Sequence, residues 1–370
     1  MIQGFATLSG AQRYASRHPK ASEMGHFRIF SDLMFSSLGL GTYLGEPDKE
    51  TDEESYRAGE QCILNGVQVI DTAINYRAQR SERVIGNLLK DLIGKNQIAR
   101  DEIFISTKGG FIPFDSEYPG DSYQYISDYF VKPGVLSEKE LIQGCHAMTP
   151  KYLEHQLEQS LKNLGVQTID LYYLHNPETQ LEELSEDEFY PALEKAFEFL
   201  ERMVSKGKIK MYGTATWNGY RIPKDAQGYL SFAKVFEAAQ KAGGKDHHFK
   251  AVQIPYNLGM PEALAHQNQL WEEESVSAIK WAKRAGILVF TSASLLQGRL
   301  ATRLPEKIRS LFPDCPTQAA CALQFIRSTP GVVSALVGMK SPEHVTENLA
   351  VSNISPLSEE NFFELFTPRA

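Results

Sequence analysis

Residues 149–175 read TPKYLEHQLEQSLKNLGVQTIDLYYLH, and the fold turns on how this stretch divides. Thr149 and Pro150 suit the start of a helix: a threonine hydroxyl can accept an orphan backbone N–H, and proline has no N–H to leave unpaired. Leu153, Leu157, Leu161 and Leu164 recur along one helical face, and Gly165 supplies a stop. From 168 to 174 the helical period gives way to a short apolar and aromatic run, which predicts a buried strand with His175 at its end. A helix feeding directly into a buried strand is one repeat of an α/β protein, and the same alternation extends in both directions along the chain.

Working outward, the runs at 37–41, 67–71, 103–107, 168–174, 209–214, 251–254, 287–291 and 332–337 predict strands, with helices between them that include 317–327 and 342–350. Such a series without a break in composition predicts a closed (β/α)8 TIM barrel rather than an open doubly wound sheet. Gly39-Leu40-Gly41 lacks the third glycine and the helix start of a dinucleotide-binding fingerprint. Residues 25–37 predict an N-terminal β-hairpin turning at Ser31 and Asp32. The expected division is an N-terminal arm at 1–26, one barrel domain at 27–353 and a C-terminal tail at 354–370. After the third strand, 111–148 forms a long loop insertion carrying Phe111, Phe114, Tyr118, Tyr123, Tyr125, Tyr129 and Phe130. Two readings of it stand open: a wall over a substrate pocket, because barrel sites are built from the loops at this end of the strands, or a loop packed on itself for stability.

The composition, 42% hydrophobic and 23% charged, excludes a disordered or fibrous chain. A net charge of -8 without a dense basic run argues against nucleic acid or an anionic membrane as partner. No apolar run nears the ~20 residues that span a bilayer, and the first residues lack a secretory leader's apolar segment. Cys62, Cys145, Cys315 and Cys321 show no C-x-x-C spacing and read as reduced thiols. The expectation is a cytoplasmic protein whose oligomeric state the composition leaves open. Residues 1–22 carry Arg13, Arg17 and Lys20 and no acid, which faintly resembles an organelle transit segment; the alternative is an ordered arm. His247-His248 lies in a polar stretch and reads as solvated loop.

Strand ends at the catalytic mouth of a barrel have no packing reason to carry charge. Asp71 ends the second predicted strand, Lys108 follows the third, His175 follows the fourth, and Tyr76 lies five residues beyond Asp71. Each has a plain structural explanation alone; together they converge on one mouth. Carbonyl reduction needs a proton donor for the developing alkoxide, and a phenol beside an ammonium can serve, with a carboxylate holding the lysine and a histidine orienting the carbonyl. On these residues Lys108 is expected to lower the Tyr76 pKa. Only one strand-end histidine is present, so no metal-ligand set is expected and a metal-dependent barrel hydrolase is disfavoured.

Asp71-Thr72-Ala73-Ile74-Asn75-Tyr76, Ser106-Thr107-Lys108 and Leu171-Tyr172-Tyr173-Leu174-His175-Asn176-Pro177 closely resemble the three signature segments of the aldo-keto reductase superfamily. The resemblance implies a catalytic tetrad of Asp71, Tyr76, Lys108 and His175, hydride transfer between a nicotinamide and a small carbonyl or alcohol substrate, and NADPH rather than NADH as cofactor. It places Gln253, in Gln253-Ile254-Pro255-Tyr256-Asn257, on the nicotinamide carboxamide, and Leu295 and Gly298, in the loop at 295–300, along the pyrophosphate. It places Lys340, Ser341, His344, Glu347 and Asn348 at the adenosine end, with Lys340 and Ser341 on the 2′-phosphate. Thr42 and Tyr43 fall at the nicotinamide ribose and substrate, and Phe111 and Trp217 are the further substrate candidates. The chain departs from the family at Ala215 and Thr216, where serine and asparagine are common, and at Ser292, where a tyrosine stacks on the nicotinamide; Trp217 or Phe290 are candidates to replace it. A second reading is a nicotinamide-binding redox sensor, similar to potassium-channel β subunits, with little turnover.

Overall fold

In the computed structural model, which describes residues 1–367, eight parallel strands close into a barrel. They are β1 (Leu38–Gly41), β2 (Val69–Asp71), β3 (Phe104–Gly109), β4 (Ile169–His175), β5 (Ile209–Ala215), β6 (Phe249–Pro255), β7 (Leu288–Ser292) and β8 (Val332–Gly338), and β8 pairs with β1 to complete the ring. Each predicted strand is found within two residues at either end. Outside them run α1 (Lys49–Leu64), α2 (Arg80–Gly94), α3 (Pro150–Leu164), α4 (Glu186–Ser205), α5 (Phe232–Gly243), α6 (Ala278–Arg284), α7 (Gln318–Ser328) and α8 (Pro342–Leu349). Leu153, Leu157, Leu161 and Leu164 of α3 are buried in the main core, as their spacing requires. Gly165 ends α3 with φ 67, the left-handed conformation glycine adopts without a Cβ clash. Thr149 occupies the N-cap position, but its hydroxyl takes no N–H of the helix.

The hairpin Phe27–Phe30 and Leu33–Ser36 turns at Ser31 and Asp32 as expected. Its Phe35, with no exposure to solvent, meets Phe104 of β3 at 5.0 Å and Phe290 of β7 at 5.7 Å, both edge to face. With Val69, Leu171, Tyr173 and Ala251 these rings form the floor of the barrel. Residues 1–26 include helices at Leu8–Ser16 and Pro19–Glu23, and the side chains of Arg13 and Arg17 converge on Glu102 at 2.8 and 2.7 Å, so both arginines of the arm are engaged by the fold. Beyond residue 354 a helix at Glu359–Glu364 buries Phe362 against the main core.

The insertion is more ordered than its sequence suggests. It contains a helix at Ser122–Ile126 and gathers Ile112, Ile126, Phe130, Leu136, Ala147 and Tyr152 into a core of its own. A second small hairpin, Gln269–Trp271 with Glu274–Val276, had no signal in the sequence reading. His247 is buried against Phe236 rather than solvated, and His248 pairs with Glu201 at 2.7 Å. Among the described residues no helix is long and apolar enough to cross a membrane.

Truncating the ring that seals the floor removes buried contacts that nothing else can fill, at a typical cost of about 3–5 kcal/mol. Phe35→Ala should lower the unfolding free energy by that amount in urea titrations, with the far-UV spectrum of the native state unchanged. A loss below about 1 kcal/mol would place the hairpin outside the cooperative core.

Candidate active site

Parallel closure brings the carboxyl ends of all eight strands to one rim, opposite the sealed floor. There Asp71 Oδ2 accepts from Lys108 Nζ at 2.6 Å, while Oδ1 accepts from Ser106 Oγ and Gln253 Nε2, each at 2.8 Å. Lys108 Nζ also donates to the Thr72 carbonyl at 2.8 Å and lies 4.7 Å from the centre of the Tyr76 ring. The ring of Tyr76 stands edge-on to His175 at 5.8 Å and to Tyr43 at 5.1 Å. The residues singled out at three strand ends and one loop are therefore neighbours.

Lys108 is wholly buried and Asp71 nearly so. An isolated charge there would be strongly disfavoured, and the pair persists because each partner has further hydrogen bonds. Burial alone would lower the lysine pKa, but Asp71 and Tyr76 together outweigh it and hold the ammonium above its ordinary value. Tyr76 corrects the expectation from the sequence: burial pushes its phenol up, Lys108 pulls it down, and the net direction is upward. The His175 imidazole is driven well below its ordinary value by burial and by the Lys108 charge, so it is neutral near pH 7.

A cleft between the ends of β1 and β8 is lined by Gly41, Thr42, Leu44, Gly338 and Lys340. Thr42 is held by hydrogen bonds of its backbone N–H and its hydroxyl to the Asp71 carbonyl, at 3.1 and 3.2 Å. At the start of α8, Ser341 Oγ accepts from the His344 N–H at 3.3 Å. Lys340 and His344 are exposed, Glu347 is half-buried and Asn348 buried. The exposed Lys340 ammonium lies 3.9 Å from Glu54 of α1, a loose pairing. After β7 the backbone is left-handed at Ala293, Leu296, Gln297 and Gly298. Leu295 is half-buried in this loop and Gly298 exposed.

Gln253 stands between β5 and β7, with its amide nitrogen engaged by Asp71 rather than free. On either side, the buried hydroxyls of Thr216 and Ser294 have no hydrogen-bond partner within the protein. Phe290 is committed to the floor, stacked on Phe104 at 5.9 Å, and cannot replace a stacking ring at the mouth. Trp217 is half-exposed beyond β5, its backbone N–H bound to Glu178.

Beside Tyr76 opens a cavity of about 570 Å³ lined by Tyr43, Asn75, Tyr76 and Arg77 and, from the insertion, Phe111, Phe114, Tyr118 and Ile126. The insertion is thus both a self-packed unit and a wall of this cavity; Trp217 does not line it. Sequence reasoning missed Ser106, His146, Glu178 and Arg77. Ser106 was within reach, since it lies two residues from Lys108 on the same strand face. Glu178 accepts the N–H groups of Trp217, Asn218 and Gly219, and buried Arg77 donates to the carbonyls of Glu46 and Asp48 and to Asp52; neither partnership has a local signature.

The pattern of the Aldo/keto reductase family matches residues 37–365. The chain belongs to that family. It is thereby an NAD(P)H-dependent oxidoreductase by class. It is 22% identical over 342 residues to the NADH-specific methylglyoxal reductase of Escherichia coli strain K12, covering 88% of this chain and 92% of that one. Among solved structures it resembles an aldo/keto reductase from Klebsiella pneumoniae in complex with NADP and acetate, with a TM-score of 0.61, 20% identity and coverage of 92% and 94%. The holo form of an aldo-keto reductase from Bacillus halodurans matches with a TM-score of 0.60, 20% identity and coverage of 92% and 95%. At these identities the structural likeness concerns the barrel fold.

Removing one partner of a buried ion pair strands the other charge, at a typical cost of about 3–5 kcal/mol. Lys108→Met should destabilise this aldo-keto reductase by that amount, and Asp71→Asn in the same chain should restore at least half of it. Equal stability of the single and double variants in chemical denaturation would show that the two charges are not coupled.

Proposed function

We propose that the protein reduces small carbonyl compounds, and oxidises the corresponding alcohols, with Tyr76 as the acid and base of the reaction and with NADPH preferred over NADH. The observation that carries this reading is the convergence of Tyr76, Lys108, Asp71 and His175 at the rim, with Tyr76 itself lining a cavity of about 570 Å³. A bound dinucleotide supplies the hydride. The chain's own residues do the rest: Tyr76 hands its phenolic proton to the oxygen that becomes the alcohol, while Lys108 stabilises the phenolate left behind. Asp71 keeps Lys108 charged and aimed, and neutral His175 orients the carbonyl oxygen.

The rim suits a dinucleotide. The unpartnered hydroxyls of Thr216 and Ser294 flank Gln253, which fits a group that both donates and accepts, as a carboxamide does. Leu295 and Gly298 belong to the left-handed loop that suits a pyrophosphate. The N-terminus of α8, with Lys340 and Ser341 beside it and Glu347 and Asn348 one to two turns on, suits the adenosine 2′-phosphate. Thr42 and Tyr43 would lie at the ribose and the substrate, and Phe111 and Trp217 on opposite sides of the mouth. A redox-sensing role with little turnover is the alternative; the open cavity against Tyr76 favours turnover.

Tyr76→Phe keeps the ring packing and removes the proton, so the reduction rate should fall about 100-fold or more while NADPH binding survives. Because the Tyr76 pKa is raised, the phenol is protonated throughout the neutral range. Wild-type reduction should therefore hold steady to about pH 9 and decline only as the phenol ionises above its ordinary value near 10. A Tyr76→Phe protein with most of its turnover, or a wild-type rate that halves between pH 6 and 8, would remove Tyr76 from this role.

A charge-assisted hydrogen bond contributes about 1.5–3 kcal/mol, so Lys340→Ala should weaken NADPH binding by roughly ten- to a hundredfold. NADH binding should barely change. Fluorescence titration of both cofactors decides it: equal affinities in the wild type, or equal losses in the variant, would count against a 2′-phosphate contact.

A further inference from the structure

The two ends of the insertion are fastened to each other and to the rim by a short ladder. Ile112 N–H donates to the Cys145 carbonyl at 2.7 Å, and Ala147 N–H to the Gly110 carbonyl at 3.0 Å. Between these bonds lies His146, 1% exposed. Its Nε2 is 2.7 Å from the backbone carbonyl of His175, and its Nδ1 is 2.8 Å from Gln180 Nε2. The same Gln180 nitrogen lies 3.4 Å from the His146 carbonyl, which requires a donor there and fixes the amide's orientation. His146 Nδ1 is therefore the acceptor, and the imidazole proton sits on Nε2, donated to His175. Phe111 completes the contact, edge-on to the His146 ring at 5.0 Å and to the His175 ring at 5.1 Å. The approach is close enough to dictate a glycine. Gly110 has φ +146, and a Cβ there would fall 2.7 Å from His146 Nε2 and 2.8 Å from the His175 carbonyl.

We infer that His146 is a positioning residue: through its hydrogen bond to the His175 backbone, and through Phe111 between the two rings, the insertion holds His175 at the height that carbonyl reduction requires. The inference rests on the activity proposed above. It gives the insertion a part in the reaction besides forming a cavity wall, and it makes an ordered insertion a condition of turnover. His146 itself touches neither substrate nor cofactor. It acts on the end of β4, where the chain turns through left-handed Asn176 (φ 45), whose N–H donates to the Ala215 carbonyl at 2.6 Å. With His146 in place, the peptide between His175 and Asn176 is held at both its carbonyl and its N–H. Without it, the His175 carbonyl loses this anchor, while the bend keeps the bond to Ala215 and that of the Thr179 N–H to the Asn176 carbonyl at 3.0 Å; displacements on the order of 1 Å at a catalytic group can cost up to a hundredfold in rate.

The test uses the full chain, an aromatic aldehyde and NADPH, with four single variants and one double variant. His146→Leu should lower kcat about tenfold with little change in NADPH affinity, and His146→Gln, whose amide reaches the same carbonyl, should recover most of it. In a His175→Ala background, His146→Leu should cost nothing further, because its effect is transmitted through His175. A tenfold loss that persists in that background, or no loss in His146→Leu, overturns the inference. Gln180→Leu, which frees the His146 proton to move to Nδ1, guards against a misfolded His146 variant: it should lower kcat in the same direction, and an unchanged rate also counts against the proposal. The ¹⁵N resonances of the His175 ring provide a readout independent of turnover. They should move in His146→Leu and Gln180→Leu even if the wild type proves inactive, which would reject the activity and leave the positioning intact; unmoved resonances reject the positioning.

Discussion

The mouth of the barrel depends on a lysine ammonium with no access to water, held 2.6 Å from a carboxylate. In a low-dielectric interior neither charge is tolerable alone, and together they persist only because every direction around them is satisfied. That requirement draws in Ser106, Gln253 and the Thr72 carbonyl, from three different strands or their ends. It also fixes the electrostatics of the neighbours: the same ammonium that opposes the upward shift of the Tyr76 phenol lowers the His175 imidazole. Burial thus keeps the proposed acid protonated against the pull of this charge, and burial together with the charge keeps the proposed orienting histidine neutral.

The rest of the barrel divides labour between its ends. The floor is closed by the packing of rings from the N-terminal hairpin and from β3 and β7. The rim is left polar, and several of its hydroxyls and imidazole nitrogens are buried without partners, among them Thr72, Thr216, Ser294 and His175 Nδ1. Unsatisfied polar atoms are costly in a finished core and understandable where a ligand is to complete them. Phe290 illustrates the division. It lies on a strand whose end reaches the rim at Ser292, yet its ring belongs to the floor.

The insertion shows how a long loop becomes part of a mechanism. Its aromatic residues first satisfy one another, as the cluster around Ile126 and Phe130 demonstrates, and only the remaining faces line the cavity. A loop with its own core loses less order at its ends, and those ends meet β4 through His146. A second constraint comes from the opposite side, where Arg77, the residue after Tyr76, reaches to the loop that carries Glu46 and Asp48. Tyr76 therefore sits between two independently anchored segments.

The barrel, the hairpin and the candidacy of Asp71, Tyr76, Lys108 and His175 could be read from the amino-acid order. The reason is that these follow from local quantities: the switch between helical and strand periods, caps and stops such as Gly165, and polar residues at strand ends. The membership of the family was legible for the same reason, since its segments are contiguous. What only the tertiary structure decided are the partnerships across many residues. Gln253 bonds to Asp71 from 182 positions away, and His146 reaches His175 across 29. The direction of the Tyr76 shift also waited for the fold, because it is the balance of burial against a neighbouring charge. No periodicity encodes such distances; they exist only once the barrel has closed and brought the ends of all its strands to one rim.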